Sequence, residues 1–314
     1  MISIVIPIFN EEENLQHLYS RLKNAAPSWG ESYEIVLVDD GSRDNSLDIM
    51  KSFAAADDCV RVIKLSRNFG HQPAISAGIQ SAKGDCVVIM DGDLQDPPEE
   101  LHRFLDKWRE GYDVVYAVRT KRKEGFFKKI AYAAFYRILA WISDIEIPLD
   151  SGDFCVMDRK VVNTIVKEMP EQVRFVRGLR AYAGFKQIGV KYERAERAAG
   201  EVKYTFKKLM ELALDGLFGF SNFPLRMATY LGFIIAIPSF LVGFFFIVHR
   251  IIGFKIFGHS PGETPGTATL AVGMYFLGGV ILIILGILGE YIGRIYIEVK
   301  RRPFFVIEEV IEKK

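Results

Sequence analysis

The sequence predicts an α/β fold: a doubly wound domain with a mostly parallel sheet, then interfacial amphipathic helices and a C-terminal two-helix transmembrane hairpin. Three observations predict it. Apolar Val/Ile runs recur with helical stretches between them, several of these runs end in acids, and two long uncharged runs lie in the last third of the chain.

The recurring runs are ISIVIPI from Ile2, YEIVLVDD from Tyr33, VRVIKLS from Val60, DCVVIMDGD from Asp85 and DVVYAVR from Asp113. Continuous Val/Ile runs suit parallel strands covered by helices on both faces. Between the first two, NEEENLQHLYSRLKNAA places Leu15, Leu18, Tyr19 and Leu22 on one helical face, with Asn10 and Glu13 spaced as a capping box. Strand and helix alternate, which is the pattern of a doubly wound domain. Such sheets bind ligands outside the carboxyl ends of their strands. Here those ends read PIFNEE, VDDGSRD, LSRNFG and DGDLQDPP.

Composition changes after about Gly125. GFFKKIAYAAFYRILAWIS sets Phe127, Ile130, Ala134, Ile138 and Trp141 along one side, with Lys128, Lys129 and Arg137 elsewhere, and FKKLMELALDGLFGFS from Phe206 is similar in kind. Helices of this type either lie in a membrane interface or turn an apolar face to a core.

The runs Met227 to Val248 and Thr264 to Gly289 carry no charge. Each is long enough to cross a hydrocarbon layer of roughly 30 Å, and Pro238 in the first is tolerated in such helices. Between them lie Arg250, Lys255 and Glu263, whereas the outer flanks hold Lys207, Lys208, Arg226, Arg294, Lys300, Arg301 and Arg302. The positive-inside rule then puts both termini in the cytoplasm and the connecting loop outside. The expected boundaries are a cytoplasmic domain over 1–205 with an interfacial helix over 125–143 and a juxtamembrane amphipathic helix over 206–225. Transmembrane helices of about 227–250 and 266–290 fill 226–292, and 293–314 is a cytoplasmic tail. Gly289 and Gly293 have the spacing of a close helix contact.

Bulk properties agree. Half of the 314 residues are hydrophobic and the formal net charge is +1, while the mean hydropathy of +0.14 is high for a soluble enzyme. The charge argues against a nucleic-acid partner, whose footprint is strongly basic. Cys59, Cys86 and Cys155 are far apart and fit neither a disulfide framework nor a zinc pattern, as expected in a reducing compartment. Met1 leads straight into a strand-like run, so no signal peptide is expected.

In VVIMDGDLQDPP the strand from Val87 runs into Asp91 and Asp93. On an extended backbone these two carboxylates share one side, and two hard oxygen ligands suit Mg²⁺ or Mn²⁺. Gly92 between them permits close approach. The alternative is that strand-end acids cap the helix that Pro97 and Pro98 begin, a structural role assigned here to Asp96. Asp39 and Asp40 precede GSRD and either accept base N–H groups and ribose hydroxyls or form an Asx-turn. The chain has no phosphate-loop motif, no dinucleotide glycine fingerprint and no nucleophile elbow. His17, His71, His102, His249 and His259 show no metal-ligand spacing and read as ordinary surface or interface residues.

With these pieces in order, the chain resembles the family 2 (GT-A fold) glycosyltransferases. More narrowly, it looks like the polyprenyl-phosphate glycosyltransferases of the bacterial GtrB and dolichol-phosphate mannose synthase type. The carrying segments are VIPIFNEEENL, VDDGSRDNS, LSRNFGHQPAISAG, DGDLQDPPE, SGDFCVMDR, RFVRGL and LALDGLFGFSNFPLR, in the family's order and followed by the hairpin. The resemblance implies that Pro7, Asn10, Glu11, Asp39 and Asp40 surround a nucleotide. It implies that Asp91, Asp93 and Gln95 hold Mg²⁺ or Mn²⁺ on a sugar-nucleotide diphosphate, with Asp93 counted among the catalytic groups. Arg197 and Lys203 would reach that diphosphate, and Arg119 with Lys128 or Lys129 would meet the acceptor lipid's phosphate. Asp153 stands where the family has a catalytic acid, as a base or as an orienting group. Gly92 replaces the family's usual Ala, and Val202 stands where Ser is common.

The implied reaction is inverting transfer of a hexose, glucose from UDP-glucose in the favoured version, to undecaprenyl phosphate at the cytoplasmic face of the inner membrane. The resemblance also suggests a homo-tetramer. GDP-mannose as donor is one alternative, and a non-catalytic nucleotide-binding membrane scaffold is another. A processive polysaccharide synthase of the same fold usually carries Q-x-x-R-W, which is lacking here.

Overall fold

The computed structural model of the protein describes residues 1–119, 151–171, 174–193, 223–252 and 267–313. In chain order its elements are β1 (Ile2–Ile8), α1 (Glu12–Ala25), β2 (Tyr33–Asp39), α2 (Ser46–Ala56), β3 (Val60–Leu65), α3 (His71–Ser81) and β4 (Cys86–Ile89). There follow α4 (Leu101–Arg109), β5 (Val114–Arg119), β6 (Ser151–Asp158), α5 (Arg159–Lys167), α6 (Val176–Tyr182), β7 (Gln187–Tyr192), α7 (Phe223–Ile252), α8 (Thr267–Lys300) and β8 (Ile307–Ile311).

The strands form one sheet in the order β7-β5-β6-β4-β1-β2-β3-β8. β1 runs parallel to β2 and to β4, and β2 parallel to β3, as the four apolar runs predict. Because strand side chains alternate, β1 feeds two cores. Ile2, Ile4, Ile6 and Ile8 pack with Leu15, Leu18 and Leu22 of α1, while Val5 joins Val36, Val38 and Ile63 against Ala74 and Ala77 of α3. The sheet is therefore covered on both faces, which is why these strands tolerate no polar alternation.

Two strands depart from the expected pattern. β6 is antiparallel to β4 and to β5. Its sequence SGDFCVMD alternates, with Phe154 and Val156 in one core and Cys155 and Met157 in the other. β8 is antiparallel to β3 and caps that edge, where only a tail was expected. Lys64 pairs with Glu308 at 2.8 Å, Ser66 N donates to Val306 O at 3.0 Å, and Phe305 and Ile307 pack on the core beneath.

The capping box expected at α1 does not form. Asn10 has φ 53°, and its Oδ1 accepts from Arg43 N at 2.8 Å. That bond ties the loop after β1 to the loop after β2, and Glu11 takes the cap position with its Oε2 accepting from Asn14 Nδ2 at 2.6 Å rather than from a backbone amide of the first turn.

The chain divides into two units, Met1–Phe220 with Arg301–Lys314, and Ser221–Lys300. In the second unit α7 has 30 residues and α8 has 34. Large apolar side chains such as Phe240, Met274 and Leu282 are exposed along them. Among the described residues one stretch, Phe276–Lys300, is long and apolar enough to cross a membrane, and Leu225–Leu241 in α7 is a shorter apolar stretch. The expected interfacial helix over 125–143 lies outside the described residues, as does the expected juxtamembrane helix up to residue 222, and its last residues, Phe223 to Leu225, begin α7.

Candidate active site

The carboxyl ends of β1, β2 and β4, the amino end of the antiparallel β6, and the starts of α3 and α6 bring the acids together. At the end of β2 the two aspartates have different duties. Asp40 accepts from Phe69 N at 2.7 Å and from Gly70 N at 2.9 Å, one bond to each oxygen. Burial pushes its carboxyl above the ordinary range, and the two amides oppose that. Asp40 thus fixes the loop between β3 and α3. Asp39 accepts from Ser42 N through Oδ1 at 3.1 Å. Its Oδ2 is buried and meets no hydrogen-bond donor among the described residues. A buried carboxylate oxygen left this way is costly unless a ligand supplies the donor.

Glycine is required between these loops. Gly41 has φ 69°, and a Cβ there would stand 2.6 Å from Asn68 N. Asn10 N donates to Ser42 Oγ at 3.1 Å and Glu11 N to Ser46 Oγ at 2.9 Å. Pro7, near the end of β1, faces Val38 in the ladder. Pro7, Asn10, Glu11, Asp39 and Asp40 therefore share one rim.

Asp91 and Asp93 sit differently from the sequence reading. β4 ends at Ile89, and Asp91 to Asp93 run into a turn, so the argument from an extended backbone fails. A Cβ at Gly92 would stand 2.6 Å from Ile8 Cδ1 and 3.4 Å from Pro7 O, so the close approach is to the end of β1. Asp93 Oδ1 accepts from Gln95 N at 3.2 Å, which places Gln95 beside the pair. Asp96 is structural, as expected, but it accepts from Tyr192 OH at 2.6 Å and caps neither the short 3₁₀ turn nor α4.

The remaining partners come from α3 and α6. His71 Nε2 lies 3.5 Å from Asp91 Oδ1 and 3.4 Å from Asp153 Oδ2. Arg177 holds Asp153 by Nε to Oδ1 at 2.7 Å and by Nη2 to Oδ2 at 2.9 Å. Burial works against the charged imidazole, but the Asp153 bond and the Asp91 and Asp153 charges outweigh it and raise His71 to about 9. Burial would likewise raise Asp153, yet Arg177 and His71 hold it well below the usual carboxylate range. Asp91 is pushed up to about 6 by burial, with His71 opposing and Asp96, Asp153 and Asp93 adding to the rise.

His71 and Arg177 were not found from the sequence. His71 read as an ordinary surface or interface residue and instead stands between Asp91 and Asp153. Arg177 lies in the quoted RFVRGL, which carried no spacing that assigns a role. Of the other expected residues, Arg119 ends β5 opposite Tyr192 of β7. Lys128, Lys129, Arg197 and Lys203 lie outside the described residues.

The donor set suits a hard divalent cation. An acid destabilised as an anion by burial and neighbouring carboxylates, as Asp91 is, gains most from added positive charge. No group of three or more His, Cys, Asp or Glu among the described residues is arranged to hold a metal. Two carboxylates nevertheless match Mg²⁺, which commonly takes one or two and completes its shell with substrate phosphates and water.

Residues 3–166 match the family model described as Glycosyl transferase family 2. The chain is 47% identical over 308 residues to the uncharacterized glycosyltransferase YkcC of Bacillus subtilis (strain 168), covering 98% of this chain and 93% of that protein. It is 41% identical over 313 residues to the bactoprenol glucosyl transferase of Shigella phage SfV, covering 99% of each. Among solved structures, mannosyl-3-phosphoglycerate synthase from Rubrobacter xylanophilus matches 68% of this chain and 71% of its own at 18% identity, with a TM-score of 0.45.

Proposed function

The chain belongs to glycosyltransferase family 2, and from that premise we propose that it transfers a hexose from a nucleotide-diphosphate sugar to a polyprenyl phosphate at a membrane surface. The observation that carries this reading is a pairing within one chain. An acidic cluster stands at the carboxyl edge of an α/β sheet, and helices α7 and α8 expose apolar side chains. The relative named bactoprenol glucosyl transferase, similar over the whole length, supports undecaprenyl phosphate as acceptor and glucose as the sugar.

On the donor side, the open Oδ2 of Asp39 suits an N–H of the base or a ribose hydroxyl. Asp91 and Asp93, with Gln95 beside them, would hold Mg²⁺ or Mn²⁺, which when bound neutralises charge on the leaving diphosphate. Arg197 and Lys203 would add positive charge to the same group.

On the acceptor side, the phosphate monoester has a second pKa of about 6 and is largely a dianion near neutral pH. It requires placement more than deprotonation. Asp153, held as an anion by Arg177 and His71, is suited to orienting that phosphate's surroundings and poorly suited to taking a proton. Arg119, Lys128 and Lys129 would meet the phosphate itself. Direct attack by its oxygen gives inversion at the anomeric carbon.

The tail supports a hairpin. The chain leaves the first unit after Phe220 and rejoins it at Arg301, and β8 then pairs with β3. A segment that starts and ends at the same unit crosses a membrane an even number of times, which agrees with two spanning helices and with both termini in the cytoplasm. Gly289 and Gly293 of α8 would serve a homo-oligomer.

The test offers the purified protein a panel of labelled nucleotide sugars with a polyprenyl phosphate and Mg²⁺ or Mn²⁺. UDP-glucose is expected to label the lipid. Labelling from GDP-mannose alone would replace the donor, and nucleotide binding without a lipid product would favour a scaffold.

A further inference from the structure

We propose that His71 is a positioning residue that joins the donor-side carboxylate Asp91 to the acceptor-side carboxylate Asp153. This rests on the transferase reading, because only there do the two acids serve different substrates.

The placement of His71 is over-determined by the fold. Gly70, at φ 106°, precedes α3, and its amide and that of Phe69 are held by Asp40. The next residue, Gln72, accepts from Val176 N at 3.0 Å through Oε1, so the start of α3 is fastened to the start of α6. That helix carries Arg177, the other residue on Asp153. His71 therefore stands where three strand ends converge.

The chemistry of its contacts defines the role. Both atoms facing Nε2 are carboxylate oxygens, at 3.5 and 3.4 Å. Ionised carboxylates only accept, so Nε2 must carry the hydrogen whatever the state of Nδ1. One N–H lies between two like charges that would otherwise repel. Arg177 occupies the flank of Asp153, and the His71 Nε2 stands within 3.5 Å of both acids.

Sequence offered no sign of this, since a single histidine after a strand has no spacing partner.

The test compares His71→Ala with His71→Gln, whose amide nitrogen reaches close to the position of Nε2. Activity is read as kcat and donor KM, and Mn²⁺ affinity is read by titration of the metal alone. Residues that hold a ligand group in place typically contribute about 10–100-fold. His71→Ala is expected to lower kcat by about that factor, to change donor KM less than about 3-fold, and to weaken Mn²⁺ binding several-fold. His71→Gln is expected to restore most of both.

Wild-type kcat in His71→Ala, unchanged or tighter Mn²⁺ binding in it, or a glutamine variant as impaired as alanine would each overturn the proposal. Should the wild-type protein transfer no sugar from any donor, the transferase reading fails, and the Mn²⁺ titration still decides whether His71 positions Asp91.

Discussion

Arg177 grips Asp153 with two bonds, Nε to Oδ1 at 2.7 Å and Nη2 to Oδ2 at 2.9 Å. A fork on a buried carboxylate fixes both its orientation and its charge. The sign of the pH effect follows. Asp153 is held well below the usual range, so it stays ionised across the working pH and contributes no acid limb to the rate near neutrality. Arg177→Gln removes the opposing charge, and burial then raises the Asp153 pKa. The expected result is an acid limb of kcat moved to higher pH, with kcat at neutral pH lower by about 10–100-fold. A pH–rate profile of the two proteins checks this.

The neighbouring aspartates of β2 should separate by phenotype. Asp40→Asn puts an NH₂ against the Phe69 or Gly70 amide and is expected to cost about 1–3 kcal/mol of stability. Asp39→Asn keeps the Ser42 contact within reach and alters only the open oxygen. Its expected effect is a donor KM raised about 10-fold with the melting temperature nearly unchanged. Thermal unfolding and steady-state kinetics on both variants distinguish them.

The central strands were legible because buried parallel strands are apolar at nearly every position, as in Ile2 to Ile8, where only Ser3 is polar and is hydrogen-bonded to Glu34 and Gly84. The rim was legible too, since ligands of such sheets gather at strand ends, and Pro7, Asn10, Glu11, Asp39 and Asp40 do share one rim. The geometry of Asp91 and Asp93 was not, because the turn that carries them packs at Gly92 against Ile8, more than 80 residues away in the chain. His71 and Arg177 become site residues only when α3 and α6 close over β4 and β6. For β8 the difficulty is distance: Lys64 and Glu308 are 244 residues apart, and IEEVI, with two adjacent glutamates, has neither the continuous apolar run nor the strict alternation of a core strand.

Removal of residues 303–314 should open the β3 edge. Peptides covering Val60 to Leu65 are expected to exchange their amide hydrogens faster, and the melting temperature of the detergent-solubilised protein should fall. Hydrogen exchange followed by mass spectrometry reads this directly. Unchanged protection in β3 would mean that β8 contributes little to the sheet.

Asp57 links α1 to the end of α2 through Tyr19 OH at 2.8 Å and Lys23 Nζ at 2.9 Å. Burial opposes its ionised form, but Lys23, Cys59 N and Tyr19 outweigh that and lower its pKa to about 2. A carboxyl depressed in the folded state stabilises above its ordinary pKa, and that contribution fades as pH falls toward 2. Asp57→Asn is expected to lose roughly 1 kcal/mol at pH 7, allowing for the partial exposure of Lys23. The gap between the two proteins should close in acid, as denaturant titrations at a series of pH values would register.

The most direct test follows radiolabelled glucose from UDP-glucose into undecaprenyl phosphate, with wild-type protein and with Asp93→Asn, each with Mn²⁺ and with EDTA. The predicted result is a lipid-linked product from the wild type in Mn²⁺, and none from the wild type in EDTA or from Asp93→Asn in either condition. Lipid labelling that persists in EDTA and in the variant would contradict the account of Asp91 and Asp93. No lipid product from the wild type with this or any other nucleotide sugar would contradict the transfer itself.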